Sequence, residues 1–239
     1  MMFTKYFIKP IHAFITMSEK VAKDVRQLTD KPVRTVAHPL YDNFGSIISM
    51  PEARRGLKLD QSERIVLFFG FIREYKGLDL LLEAMAMLKD RLPKENKKMP
   101  KLLIAGEFYE NRKKYDAIIE NLRLRDTVIL HTDFIPDSQV RNYFCAADVV
   151  VQPYRNATQS GVTPLAYHFE VPMIVTNVGG LPALVPHEKV GLVCEPTAAS
   201  IADTLHRYFI MGREQFLPGL IEEKGKYSWG KLTEAILSF

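Results

Sequence analysis

Six short runs of almost unbroken apolar residues constrain the fold of this chain more than any other feature: IVLFFG, KLLIAGE, TVILHTDF, DVVVQP, PMIVTN and GLVCEP. Helical patterns separate them. In LDLLLEAMAMLKDRL, Leu78, Leu81, Leu82, Met85 and Leu88 fall on one face at helical spacing. YENRKKYDAIIENLRL, SQVRNYFCAA and VTPLAYHF supply the next helices, and IADTLHRYF and WGKLTEAILSF two more in the tail. A strand apolar on both faces has no side to give to water, so such strands belong to a parallel sheet covered by helices on both sides. The expected fold is a doubly wound α/β domain, in which a ligand binds beyond the carboxyl ends of the strands.

The chain opens differently. HAFITMS reads as a strand, Ser18-Glu19 starts a helix through VAKDVRQL, and PVRTVAHP is a second strand. Two strands are marginal in water, so residues 1–45 must pack on something else, either a further N-terminal segment or a second copy. The start at a double methionine, directly on structured sequence, carries the expectation that the natural chain extends further upstream. Residues 46–62 form a linker with a short helix at EARRGLKLD, and residues 63–239 form the main domain with its C-terminal helices.

With 239 residues, 47% of them hydrophobic and 25% charged, the composition is that of a globular protein with a substantial core. The net charge of +4 is mild, and no basic-aromatic patch points to nucleic acid. Clusters at Lys94, Lys97, Lys98 and Lys101 and at Arg112, Lys113 and Lys114 ordinarily form a solvated face. The sharper alternative is contact with anionic lipid headgroups or a phosphorylated ligand. No secretory signal and no run long enough to span a membrane is read. Cys145 and Cys194 sit in apolar surroundings and read as core residues. A reducing cytoplasm is expected, with peripheral contact at the inner face of the membrane.

At the carboxyl ends of the strands the same residue types recur: Arg73 and Lys76 after the first apolar strand, Gly106 and Glu107 after the second, Ile135 and Pro136 after the third, and Ser160, Gly161, Val162 and Thr163 after the fourth. The last group belongs to QPYRNATQSGVTPLAYHF, a strand end, a polar loop and a short helix that Ser160 or Thr163 can cap. Backbone amides and cations facing one crevice would hold a diphosphate. An ordinary strand-to-helix connection is the plain alternative for that loop, and a surface lysine the plain alternative for Lys76.

The motifs GFIREYKGLDLLLEA, LLIAGE, AADVVVQP and PMIVTNVGGLPALV resemble the C-terminal domain of retaining family 4 glycosyltransferases, over roughly residues 63–239. The resemblance implies the GT-B architecture, in which Rossmann-like domains face each other across a cleft and the C-terminal one binds a nucleotide-diphosphate sugar. It implies that residues 1–45 are a remnant of the N-terminal domain and that the final helices cross back toward it. It also implies that Lys76 binds the donor diphosphate and that Ile135 contacts the base through its backbone. The amides of Ser160 to Thr163 meet the phosphates, and no metal or other cofactor takes part. Arg73 stands in for an arginine the family commonly carries at the position of Phe71.

Two departures accompany the match. The family's paired glutamates, one near the sugar and one on the ribose, fall on Ala157 (or Thr158 or Gln159 if the loop is shifted) and on Leu165. Tyr167 and His168 are candidates for replacement contacts, while Glu170 should point away. Most of the N-terminal domain, with the acceptor site and the usual catalytic histidine, has no counterpart, and neither His12 nor His38 matches that motif. The expected activity is therefore transfer of a sugar to a cell-envelope polysaccharide or lipid-linked acceptor. The alternative is a donor-binding or assembly domain, inactive by itself.

Overall fold

A computed structural model describes residues 6–17, 19–41, 43–92, 98–157 and 160–239. The expected cap at Ser18, the cluster residues Lys94 and Lys97, and the alternative positions Thr158 and Gln159 lie outside the described residues. The chain divides into two compact units, one of Met1–Leu40 with Glu222–Phe239 and one of Tyr41–Ile221.

The larger unit is built on a six-stranded, wholly parallel sheet with strands β3 (Ile65–Phe69), β4 (Lys101–Ala105), β5 (Val128–His131), β6 (Val149–Gln152), β7 (Met173–Thr176) and β8 (Gly191–Cys194) in the order β5-β4-β3-β6-β7-β8. β3, β4, β6 and β7 are almost entirely buried, as their unbroken apolar sequences require. Helices cover both faces: α2 (Met50–Gly56), α3 (Leu78–Arg91), α4 (Arg112–Asn121), α5 (Asp137–Ala146), α6 (Val162–His168), the single turn α7 (Leu181–Leu184) and α8 (Ala198–Met211). α3 buries Leu78, Leu81, Leu82, Met85 and Leu88, the stripe its sequence marks out, and packs on α8. This is the doubly wound, Rossmann-like α/β fold.

Some boundaries move for local reasons. α4 begins at Arg112 because the Asn111 side chain caps it, accepting from the amide of Lys113 at 3.1 Å. α6 is entered through Gly161, which has no side chain to cap it, and Ser160 just before supplies the bond instead, its Oγ accepting from the Val162 amide at 3.1 Å. A further helix, α9 (Leu217–Lys224), forms across Pro218 and Gly219; a proline in the first turn costs no hydrogen bond, since that N–H has no partner inside the helix.

In the smaller unit β1 (Phe14–Thr16) and β2 (Val33–Thr35) form a two-stranded parallel pair, with α1 (Glu19–Arg26) between them in sequence. The unit also contains α10 (Trp229–Leu237), capped by Ser228, whose hydroxyl accepts from the Lys231 amide at 3.3 Å. Among the described residues, no helix is long and apolar enough to cross a membrane.

Candidate functional site

The strand order sets the position of the site. From β3 the chain winds outward through β4 to β5; from β6 it winds the other way through β7 to β8. β3 and β6 are neighbours whose following connections diverge, so a crevice opens beyond their carboxyl ends. It holds a cavity of about 360 Å³ in the larger unit, a size that suits a small organic ligand.

Lys76 is its central cation. It ends a 3-10 turn, Glu74–Lys76, that Gly77 closes in the left-handed conformation at φ 66°. The side chain is only 9% exposed. Its Nζ lies 5.8 Å from the centre of the Tyr154 ring, and no hydrogen bond or ion pair holds it among the described residues. A Cβ at position 70 would stand 3.0 Å from that Nζ, so glycine there leaves room for the ammonium. Burial, and secondarily the charge of Arg73, lowers the Lys76 pKa to about 8. A desolvated cation without an acceptor is poised for an anion.

The loop after β6 lies across the cavity. Ser160, Gly161 and Val162 line it, and nothing lies within 4 Å of the place where a Gly161 side chain would begin, so the backbone is open there. The Val162 amide is already engaged, donating to Ser160 Oγ at 3.1 Å, and that hydroxyl lies 3.2 Å from the Tyr154 hydroxyl. Gly106, Glu107 and Ile135 also line the cavity. A Cβ on Gly106, at φ 133°, would come within 2.5 Å of the Gly70 carbonyl, so glycine is required for the two strand ends to meet.

Three expected residues stand outside the lining. Arg73 lies with its guanidinium carbon 5.1 Å from the Tyr109 ring centre. Pro136 is the entry residue of α5. Thr163 is buried and donates to Gln152 Oε1 at 3.1 Å. Leu165 does face the cavity, whereas Ala157 packs under the second glycine turn, where a Cβ on Gly179 would meet its carbonyl oxygen at 1.5 Å. The Tyr167 hydroxyl donates to the Leu184 carbonyl at 2.7 Å, and His168 Nε2 lies 2.7 Å from the Gly45 carbonyl. Glu170 turns the chain at φ 56° and is not part of the lining. In the smaller unit His12 is exposed and His38 Nδ1 lies 2.6 Å from the Pro39 carbonyl.

The sequence reading missed the aromatic wall. Phe44, Phe71, Tyr75, Phe134 and Tyr154 line the cavity from well-separated segments. Phe134 is the most legible of them, since an exposed phenylalanine directly after a strand, 70% exposed here, has no role in the core. Asp137 also lines the cavity, in the first turn of α5. Among the described residues, no group of three or more His, Cys, Asp or Glu side chains is arranged to hold a metal ion.

Known proteins resemble this chain in sequence or in fold. A D-inositol 3-phosphate glycosyltransferase of Segniliparus rotundus is 30% identical over 78% of the chain and 41% of its own length. TuaC of Bacillus subtilis, a glycosyltransferase assigned by name to teichuronic acid biosynthesis, is 26% identical over 81% of the chain and 46% of its own length. The chain thus spans less than half the length of either curated relative. Among solved structures, Alr3699/HepE of Anabaena in complex with UDP superposes with a TM-score of 0.79 at 16% identity, over 95% of this chain and 64% of that one, and so shares the fold. Residues 49–215 match the family described as glycosyl transferases group 1. On that match, covering most of its length, the chain belongs to the group 1 glycosyltransferases, with the Rossmann-like fold of their GT-B members.

Proposed function

We propose that this chain binds the nucleotide-diphosphate sugar of a retaining, family 4 glycosyltransferase that builds cell-envelope polysaccharide or glycolipid. The observation that carries the reading is Lys76, a buried ammonium without an acceptor in a cavity at the switch point of the sheet. In the transfer, the bond between the sugar's anomeric carbon and the diphosphate breaks while that carbon bonds to an acceptor oxygen. Negative charge grows on the departing diphosphate, and a preorganised cation lowers the barrier by meeting it. Lys76 supplies that charge without a metal, Arg73 adds a positive field from outside the lining, and the open backbone at Gly161 admits phosphate oxygens. Ile135 and Glu107 line the part of the cavity assigned to the nucleoside. The UDP bound to Alr3699/HepE and the activity named for the inositol-phosphate relative support a nucleotide sugar. The work is placed in the cytoplasm, at the inner face of the membrane.

Titration with UDP and GDP tests the reading. We expect one of them to bind and Lys76→Ala to weaken it about tenfold or more, the worth of a charge-assisted hydrogen bond. Failure of both nucleotides to bind, or binding indifferent to Lys76→Ala, would sink it.

One observation favours a second reading, donor binding or assembly without transfer by this chain alone. The cavity presents Leu165 where the resemblance places a ribose-binding carboxylate, and leucine cannot accept from a diol. Nucleotide binding without sugar transfer in a donor-turnover assay would favour this reading over the first.

A further inference from the structure

A second cavity, of about 320 Å³, lies away from the donor crevice and is lined by Arg64, Leu92, Lys98, His206, Phe209 and Ile210. It belongs to the other end of the sheet. Arg64 immediately precedes β3 and Lys98 comes shortly before β4, so both cations stand at the amino ends of strands whose carboxyl ends hold Lys76. Phe209 and Ile210 come from the last turn of α8.

The walls are hydrocarbon and the rim is cationic. The Arg64 guanidinium carbon lies 5.1 Å from the Phe209 ring centre, and no hydrogen bond or ion pair engages that guanidinium among the described residues. Among the described residues, Lys98 Nζ donates only to the Ser62 hydroxyl, at 3.2 Å. Among the described residues, three acids of neighbouring segments have partners of their own: Glu63 pairs with Lys101 at 3.5 Å, Asp203 with Arg91 at 2.8 Å, and Asp60 accepts from the Ser62 amide at 2.7 Å. Ile210 stands 62% exposed beside them.

We propose that this cavity seats an anionic phospholipid at a membrane surface, its phosphate at Arg64 and Lys98 and the start of its hydrocarbon against Leu92, Phe209 and Ile210. The charge complementarity selects an anion, and the apolar walls with an exposed isoleucine select one that carries hydrocarbon. A free phosphate would satisfy the two cations and leave the hydrocarbon in water. The docked face is the amino end of the sheet, which leaves the donor crevice at the carboxyl end free. The inference goes beyond nucleotide binding and does not depend on it.

Co-sedimentation of the full chain with vesicles tests it. We expect binding to mixed phosphatidylglycerol–phosphatidylcholine vesicles and not to phosphatidylcholine alone, weakening as salt rises. Each basic residue near an anionic surface contributes about fivefold, so Arg64→Ala with Lys98→Ala should weaken binding about twenty-fivefold. Ile210→Ser should weaken it with the charges intact, and UDP affinity should be unchanged in all these exposed-site variants. Absence of vesicle binding by the unaltered chain, equal binding to both vesicle types, or full binding by the double variant would overturn the proposal. Displacement of the vesicles by millimolar inorganic phosphate would assign the site to a free anion instead, and would equally overturn it.

Discussion

At the scale of the residue, Lys76 sets function against stability. Its folded pKa of about 8 lies below the 10.5 of a lysine in water, with burial the larger cause and Arg73 the second. The charged form is therefore disfavoured by folding, and the sign follows. Below pH 8 both folded and unfolded chains carry the proton, and the penalty is fully present. Between about pH 8 and 10.5 the unfolded chain holds more protons, so stability rises with pH as the folded lysine becomes neutral. Lys76→Met removes the buried charge at nearly equal volume. We expect it to raise stability by about 1 kcal/mol at pH 7, as replacement of strained functional groups commonly does, and to lose nucleotide binding. Thermal melts should show its advantage over the unaltered chain shrinking between pH 8 and 10. An advantage that stays constant across that window would show that the buried charge is not its source. The unaltered chain's affinity for whichever of UDP and GDP it binds should fall over the same window as the cation is lost.

At the scale of the element, the starts of β3 and β6 are held by one ion pair, its arginine buried and its aspartate partly exposed. Arg54 on α2 donates to the Ala146 carbonyl at 3.1 Å, to the Gln61 carbonyl at 2.9 Å and to Asp148 Oδ2 at 2.9 Å. The same Asp148 oxygen accepts from the Ile65 amide at 2.6 Å, so one carboxylate ties the two strands at the switch point to the helix beneath them. Removing one partner of a fully buried pair costs about 3–5 kcal/mol; the Asp148 carboxylate left behind here is 21% exposed and keeps the Ile65 amide, so the cost is about 2 kcal/mol. Arg54→Met should therefore lower the urea midpoint, and a near-neutral outcome would mean the pair contributes nothing net. This staple was not legible in the sequence, because Arg54 and Asp148 are 94 positions apart and each looks like an ordinary surface charge. The strands were legible, since an apolar run of strand length declares itself locally. So was the buried stripe of α3, whose spacing alone marks its face. The loop at Ser160 was legible as polar and glycine-bearing, and so was Ser160 as one of two candidate caps; the Tyr154 hydroxyl 3.2 Å from that serine was not, since the sequence does not show which buried ring lies beside it. The aromatic wall of the cavity went unread for the same reason as the staple: its members meet only after the sheet has formed.

At the scale of the molecule, burial is distributed very unevenly between the two units. Ile65 to Phe68, Leu102 to Ala105, Val149 to Val151 and Met173 to Val175 are all at or near zero exposure. In the smaller unit, the buried apolar side chains among the described residues are Ala22, Pro39 and Ala235, none of them large. Hydrophobic stabilisation scales with apolar area removed from water, so the opening free energy of a segment should follow this distribution. β1 and β2 have three residues each and, among the described residues, no other strand beside them, which makes their hydrogen bonds the easier set to expose. Native-state hydrogen exchange measures the difference directly. Amides of β3, β4, β6 and β7 should exchange only through global unfolding, while those of β1 and β2 should exchange at least about a hundredfold faster through local opening. Equal protection in the two sets would mean that the smaller unit draws stability from something other than its own buried surface. The same distribution confines the ligand effect. Saturating UDP should slow exchange around Lys76 and Ser160 and through the strands of the larger sheet, because a ligand stabilises the unit that must be intact to bind it, and should leave β1 and β2 unchanged.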